Sequence, residues 1–200
     1  MKYLSFIFIF VFAFTSCSED FTPKPKAYPK IVFPEKAYKE FVVEDCPFVF
    51  EMPKYGEIVS NKTFFGELPD SPCWVDIVFK DFAGTIHLSY KEVDEDKNAI
   101  GVLMDDAHKM TFKHTIKAEY IEEKRIQGRK DNVQGLFYDV GGDAASALQF
   151  YLTDYEDHFV RGALYFETAP NVDSLRPVID FFRTDLLHMF DTFEWEESLN

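Results

Sequence analysis

The chain has 200 residues, of which 46% are hydrophobic and 18% aromatic, and its formal net charge is −14. This length suits one domain once a leader is removed, and the 23 phenylalanines favour a filled core over disorder. So acidic a chain repels polyanions. Its overall charge therefore excludes nucleic acid as a partner and opposes general adsorption to anionic lipid headgroups.

A secretion signal is predicted over residues 1–16. Lys2 supplies the positive start, and an almost unbroken apolar run reaches Phe14. A run of about 12 residues makes roughly 18 Å of helix, which is too short for a bilayer core of about 30 Å. The last residues, Phe14-Thr15-Ser16-Cys17, resemble the lipobox of bacterial lipoproteins, although Leu is usual where Phe14 stands. The resemblance implies lipidation of Cys17; the alternative is an ordinary secreted protein with an unrelated cysteine.

Residues 17–29 are predicted to form a lipid-anchored, proline-rich tether. Several acyl chains on Cys17, palmitate among them, would anchor the protein stably, whereas a single chain is marginal. Ser18-Glu19-Asp20 resembles a signal that sends bacterial lipoproteins to the cell surface, and it is equally typical of a solvated linker. The prolines that follow favour an extended chain. We therefore expect a single globular domain over residues 30–200.

Short strands are predicted in the first half of this domain, at residues 31–33, 48–52, 74–79 and 85–90. The last two form a hairpin, and residues 61–72 are rich in turn formers and predict a loop. A long helix is predicted over about 99–124, because apolar residues recur at helical spacing between Leu103 and Ile121.

Three strands and a closing helix are predicted between residues 134 and 195. The strands cover residues 136–140, 147–152 and 159–166, with Leu148, Phe150 and Leu152 on one face of the second strand. Ser174 is predicted as the N-cap of the helix, because Pro177 then lies in the first turn, where its missing N–H costs nothing.

The element order predicts an α+β fold in which two long helices pack on an antiparallel sheet. It also resembles the PsbP/Mog1-type α/β/α sandwich, in which helices cover both faces of such a sheet. That resemblance concerns the fold and implies no activity.

Cys46 and Cys73 remain as an even pair if Cys17 is lipidated. Each precedes a strand, and an exported protein meets an oxidising compartment, so we expect a disulfide between them. It would close a loop of about 27 residues and stabilise the fold by roughly 3 kcal/mol. Two buried free thiols or a redox pair are the alternatives, although the chain has no C-x-x-C motif.

One stretch, Gly141–Ser146, resembles a functional site. Gly141, Gly142, Asp143 and Ser146 follow a strand, where small residues could cradle an anion, present a nucleophile or offer a smooth contact surface. The stretch lacks the G-x-S-x-G, Walker and G-x-G-x-x-G patterns, and a tight turn is the simpler interpretation. We predict it as a partner-contact patch.

The five histidines show no helical zinc spacing. His114 falls within an apolar stripe and is expected to be a core residue, and His188 is expected to pair with Asp185 or Asp191 on the surface. The sequence therefore predicts no catalytic residue, no metal and no cofactor.

The mature chain resembles the GldD family of gliding-motility lipoproteins of Bacteroidetes. The similar residues run from the lipid cysteine to Trp195 and are Pro23-Lys24-Pro25-Lys26 with Tyr28, Cys46-Pro47-Phe48 with Phe50-Glu51, Cys73-Trp74, Asp139-Val140-Gly141-Gly142, Ala144-Ala145-Ser146, Gln149-Phe150-Tyr151, Thr153-Asp154, His158-Phe159, Leu164-Tyr165-Phe166, Pro170-Asn171 and Asp173-Ser174.

This resemblance implies a non-enzymatic envelope lipoprotein that is required for gliding and linked to type IX secretion. Its expected partners are the membrane, through the anchor, and other envelope proteins of that machinery, at the outer membrane on its periplasmic or surface face. The alternative function is a ligand-binding domain with a cleft for lipid or sugar beside His87 or His114. A hydrolase that uses Ser146 is a third option.

Overall fold

The computed structural model describes residues 30–60, 71–95 and 99–196. Within these ranges the chain forms β1 (Tyr38–Phe41), β2 (Phe48–Pro53), β3 (Glu57–Ser60), β4 (Val75–Phe79), β5 (Gly84–Glu92), α1 (Ile100–Phe112), β6 (Ala118–Gln127), β7 (Gln134–Gly142), β8 (Ser146–Thr153), β9 (His158–Phe166), α2 (Val172–Thr192) and β10 (Glu194–Trp195). Short 3-10 helices occupy Lys80–Phe82 and Lys113–Ile116. Cys17 and residues 61–70 of the predicted loop lie outside the described ranges.

Seven strands make one antiparallel sheet in the order β3-β4-β5-β9-β8-β7-β6. All eight residues of β8 are buried, because the strand lies inside the sheet and both of its faces are covered. A second sheet of three strands, β1-β2-β10, joins residues near the start of the domain to its last strand. The α+β prediction, with an antiparallel sheet and two helices, is confirmed.

Two hydrophobic cores lie on opposite faces of the large sheet. Leu148, Phe150 and Leu152 share the larger core with α2 and the small sheet, as the alternation of β8 predicts. Phe193 lies in the same core, with its ring stacked on Phe48 at 5.5 Å. The smaller core lies under α1 and contains Leu103, Ala107, Tyr138, Val140, Tyr151 and Phe159. Each large apolar side chain that is fully buried stabilises the fold by about 1.5–3 kcal/mol.

The predicted helix over 99–124 is wrong in its second half. Helix α1 ends at Phe112, and Ala118–Gln127 is β6, an edge strand paired to β7. The charged residues Glu122, Glu123 and Lys124 have high helix propensity, but hydrogen bonding along β7 outweighs this preference. Because β6 is an edge strand, these side chains remain exposed.

Two further boundaries differ from the predictions. Residues 31–33 form no strand; the Phe33 ring instead stacks on Phe181 at a centroid distance of 4.5 Å. The N-cap of α2 is Asn171 and not Ser174, and its side chain accepts a hydrogen bond from Ser174 N at 3.4 Å. Pro177 therefore lies beyond the first turn, so the helix tolerates one missing N–H donor.

From Val32 onward the described residues form one compact unit. The predicted boundaries of the signal peptide and the tether fall outside the described ranges and stay predictions. No helix among the described residues is long and apolar enough to cross a membrane.

Candidate functional site at the β7–β8 turn

The predicted contact patch lies at the turn between β7 and β8. Gly141 and Gly142 end β7, Asp143 lies in the turn, and Ser146 begins β8. Of these four residues only Asp143 is exposed, so the expectation that the patch is exposed is wrong. Ser146 has no exposed surface and donates its hydroxyl to Leu148 O at 3.4 Å, which leaves no path for a substrate in this conformation.

The two glycines are needed because β6 passes very close to the end of β7. Gly142 has φ +85°, and a Cβ there would lie 2.7 Å from Glu119 N. A Cβ on Gly141 would overlap the ring of Tyr120, which lies over the glycine backbone. The register of β6 shifts between Ala118 and Tyr120, and this bulge brings it against both glycines. The tight-turn interpretation is thus confirmed.

The turn is fastened to the start of α2. Asp143 Oδ1 accepts a hydrogen bond from Val172 N at 3.1 Å, and the side chain of Asn171 caps Ser174 N. These contacts satisfy two backbone donors of the first helical turn, and the Asp143 carboxylate also faces the positive end of the helix dipole. The turn and the helix therefore form one rigid edge.

An ion pair joins the middle of α2 to the sheet beside this edge. Arg183 donates from Nη1 to Asp139 Oδ2, and its Nη2 lies 3.3 Å from Asp180 Oδ1. The Asp139 side chain is almost buried. Loss of the guanidinium would leave this carboxylate without its charged partner, which typically costs about 2–5 kcal/mol.

A groove lies between this ion pair and the edge strand. This turn groove is lined by Tyr120, Gly141, Arg176, Asp180, Arg183 and their neighbours, and its volume is about 70 Å³. Tyr120 is 52% exposed. Arg176 is exposed and forms no ion pair with any described residue. The volume suits one short side chain or a few waters, well below the roughly 300 Å³ of small-molecule sites.

A wider acidic cleft lies at the C-terminal end of α2. Its volume is about 450 Å³, and its lining includes Glu40, Glu51, Arg129, Thr192 and Glu194. Three of its seven lining residues are glutamates and one is an arginine, so the cleft does not suit an acyl chain. Neither the turn groove nor the acidic cleft is lined by His87 or His114.

Three of the histidines interact with neighbouring residues of the fold. His87 Nδ1 lies 2.5 Å from Asp76 Oδ1 on the surface of the sheet. His114 is half-buried, and this burial, with the nearby Arg161 charge, lowers its pKa. His188 pairs with Glu51 at 2.6 Å, so the predicted partners Asp185 and Asp191 are wrong.

Asp185 is instead the centre of a buried cluster that the sequence interpretation missed. Its carboxylate accepts hydrogen bonds from Tyr38 Oη at 3.0 Å and from Tyr55 Oη, and it pairs with Lys36 Nζ at 2.7 Å. Burial raises the pKa of Tyr38 to about 12 and also raises that of Tyr55, while it lowers the pKa of Lys36. The sequence signal that could have revealed this cluster was an acidic residue, Asp185, beside the apolar stripe of α2.

Cys46 and Cys73 form a disulfide with a Cα–Cα distance of 5.4 Å. Both residues are buried. The bond joins the turn before β2 to the segment before β4, and it therefore ties the small sheet to the large one.

Comparison with known proteins agrees with the resemblance found in the sequence. The family model of the gliding motility lipoprotein GldD matches residues 18–195. Comparison with curated proteins gives no match. Among solved structures, the solution structure of cyanobacterial PsbP (CyanoP) from Synechocystis is similar at 14% identity and a TM-score of 0.47, over 86% of this chain and 99% of that chain. The chain belongs to the gliding motility lipoprotein GldD family and is therefore a membrane-anchored envelope lipoprotein with a role in gliding motility.

Proposed function

We propose that the domain is a non-enzymatic interaction module that docks on other envelope proteins of the gliding and type IX secretion machinery. Family membership supports the motility role, and the type IX link rests on the family resemblance of the sequence. We further propose that Cys17 carries the anchor, and that the protein resides at the outer membrane.

The turn groove is the observation that carries this proposal. It presents Tyr120 and Arg176, and Tyr and Arg are enriched in the centres of protein–protein interfaces. The groove is also held in shape by the Arg183–Asp139 pair and by the bond between Asp143 and Val172 N. A surface that is ordered before binding pays less conformational entropy when the partner arrives.

The groove favours a particular kind of partner contact. Its volume admits one side chain, and Arg176 can donate two hydrogen bonds to a carboxylate. We therefore expect a partner that inserts an acidic or amide side chain between Tyr120 and Arg176.

The double variant Tyr120→Ser/Arg176→Glu in the native bacterium tests this proposal. Each change at an interface centre typically costs about 2 kcal/mol or more of binding free energy. We expect colony spreading and cross-linking to envelope partners to be lost at normal protein levels. The matched control is Tyr155→Ser/Arg125→Glu, which alters an exposed tyrosine and an exposed arginine outside the turn groove. Wild-type spreading and cross-linking in the groove variant would refute the docking role.

A clean deletion tests the wider assignment. Loss of both spreading and export of type IX cargo, restored by the wild type but not by Cys17→Ala, would support the machinery role and the anchor. Normal spreading and export after deletion would contradict the family-based function.

The acidic cleft favours a second candidate function, which is binding of a hydroxyl-rich ligand such as a sugar. Its volume of about 450 Å³ lies in the range of small-molecule sites, and carboxylates are good acceptors for hydroxyl groups. A ligand at a concentration 100 times its Kd would stabilise the fold by about 2.7 kcal/mol. A thermal-shift screen with envelope glycans that shows no stabilisation would eliminate this candidate.

A further inference from the structure

An exposed, positively charged tip follows α1. The 3-10 helix Lys113–Ile116 ends in Ile116, whose side chain is 87% exposed. Lys113 and Lys117 flank it, and both are exposed and form no ion pair with any described residue. An isolated exposed apolar residue is ordinary, but here it lies between two exposed lysines. We call Lys113, Ile116 and Lys117 the basic tip.

The charge of the basic tip contrasts with that of the whole chain. No acidic residue occurs between Ala107 and Ala118, although Glu119 lies two residues beyond Lys117, whereas the formal net charge of the protein is −14. Lys109, one turn earlier, pairs with Asp105 and adds little to the tip. Electrostatic repulsion from acidic groups elsewhere decays over about 8–10 Å at physiological salt. The tip can therefore attract an anionic surface that the chain as a whole repels.

The tip lies at a defined end of the large sheet. Strand pairing aligns Ala118 with Gly142, and Gly84 with Phe166, so the basic tip, the β7–β8 turn and the β4–β5 connection share this end. Phe33 packs against Phe82 of the β4–β5 connection, with ring centroids 5.9 Å apart. The chain that arrives from the predicted anchor therefore joins the fold at the same end as the tip.

The dimensions allow the tip to reach the membrane that holds the anchor. Phe33 lies 16 positions after Cys17 in the sequence, and this length of chain spans at most about 55 Å. Four strand spacings separate β5 from β6, which places the tip about 20 Å across the sheet from the β4–β5 connection. An anchored domain can lie with this end against the bilayer.

We infer that the basic tip docks on the anionic phospholipid surface of the membrane in which the anchor sits. Ile116 enters the interfacial region while Lys113 and Lys117 pair with lipid phosphates. This contact orients the turn groove toward the membrane, where membrane-bound partners are found. The inference rests on the lipid anchor of the proposed function; the anchor supplies affinity, and the tip supplies orientation. Each lysine raises the ratio of docked to undocked protein about fivefold.

A dye at the tip of the acylated full-length protein tests this inference. Ile116→Cys is labelled with the polarity-sensitive dye NBD, while Cys46 and Cys73 remain in their disulfide. The protein is reconstituted into vesicles of phosphatidylethanolamine with phosphatidylglycerol, or of phosphatidylcholine alone. The matched control is the label at Leu187→Cys, an apolar site that is also exposed and lies about 22 Å along α2 from its first residue. Vesicle flotation reports the anchor separately.

We expect the emission of the label at 116 to shift to the blue and to resist aqueous quenchers in the anionic vesicles only. The label at 187 should not respond. Lys113→Glu/Lys117→Glu should lower the docked-to-undocked ratio by about 25-fold or more and abolish the response without changing flotation. The inference would be overturned if the labels at 116 and 187 gave the same emission shift, or if the label at 116 responded equally in both lipids. It would also be overturned if the response survived the charge reversal. A protein that does not float with the vesicles lacks the lipid anchor. This result would also overturn the inference, and flotation distinguishes it from a failure of the basic tip.

Discussion

Lys36 Nζ lies 2.7 Å from Asp185 Oδ1, and this pair joins the beginning of the domain to the middle of its last helix. Lys36 Nζ also lies 3.2 Å from the centroid of the Phe181 ring. Tyr38 and Tyr55 supply the other donors to Asp185. A carboxylate that is almost fully buried is tolerated only when such partners surround it. The fold thus depends on this cluster where the amino-terminal part of the described domain meets α2.

Replacing Asp185→Ala should therefore destabilise the protein strongly. The change leaves two tyrosine hydroxyls without their acceptor and Lys36 without its charged partner, and we expect the free energy of unfolding to fall by about 3–5 kcal/mol. Thermal unfolding should shift down by roughly 6–20 °C for a domain of this size. The control is Asp191→Ala, which removes only an exposed pair with Arg129 and should cost less than about 1 kcal/mol. Similar losses in both variants would contradict the buried role of Asp185.

Reduction of the disulfide should lower the thermal midpoint. Closure of a loop over a sequence separation of 27 residues stabilises the folded state by about 3.5 kcal/mol. We expect dithiothreitol to lower the Tm of the wild type by roughly 7–14 °C, and Cys46→Ala/Cys73→Ala to show that lower Tm with or without reductant. A wild-type Tm that reductant leaves unchanged would argue against a stabilising bond.

The adjacent glycines should respond differently to alanine. Gly142→Ala forces a left-handed φ on a residue with a Cβ and brings this atom against the backbone of β6, so it should cost about 1–3 kcal/mol. Gly141→Ala displaces only the exposed ring of Tyr120, and we expect a smaller loss of stability with weaker partner binding. Chemical denaturation and cross-linking of both variants separate the two effects. Equal stability losses would show that Tyr120 cannot move.

Stability should fall at alkaline pH because three tyrosines with raised pKa values resist ionisation. Burial raises the pKa of Tyr38, Tyr90 and Tyr151 to about 12, whereas an unfolded tyrosine has a pKa of about 10. A raised folded pKa contributes stability that is complete below pH 10 and is lost between pH 10 and 12. The lowered pKa of Lys36 opposes this trend through a single group. Denaturation at a series of pH values, with tyrosine absorbance, should locate the fall above pH 10, and Tyr151→Phe should reduce it.

The sequence predicts the fold from Gln134 onward well because the periodicities of that part are strong. The alternation around Phe150 identifies β8, and the helical spacing from Val178 to Met189 identifies α2. The short strands β1 and β3 have four residues each and give little signal. Strand β6 was missed because its exposed, charged residues prefer helix and only its pairing with β7 selects the strand.

The sequence predicted the position of the β7–β8 turn, but not which residues of the turn are exposed. Glycines after a strand indicated the β7–β8 turn correctly, yet its small residues lie beneath β6 and not in solvent. Tyr120 and Arg176, which line the turn groove, lie far apart in the sequence, and only the packing of α2 beside the edge strand brings them together. No local pattern can reveal such a pair.

The pairing of β2 with β10 also determines when folding can finish. Phe193 stacks on Phe48 and Phe50, and Trp195 pairs with Phe48 across the small sheet. An exported chain emerges from its amino end, so the rings of Phe48 and Phe50 lack their partner until the chain as far as β10 has crossed the membrane. Contacts of such long sequence separation form slowly. The protein must therefore complete its core after β10 has been translocated, and loss of Phe193 and β10 would open the interior.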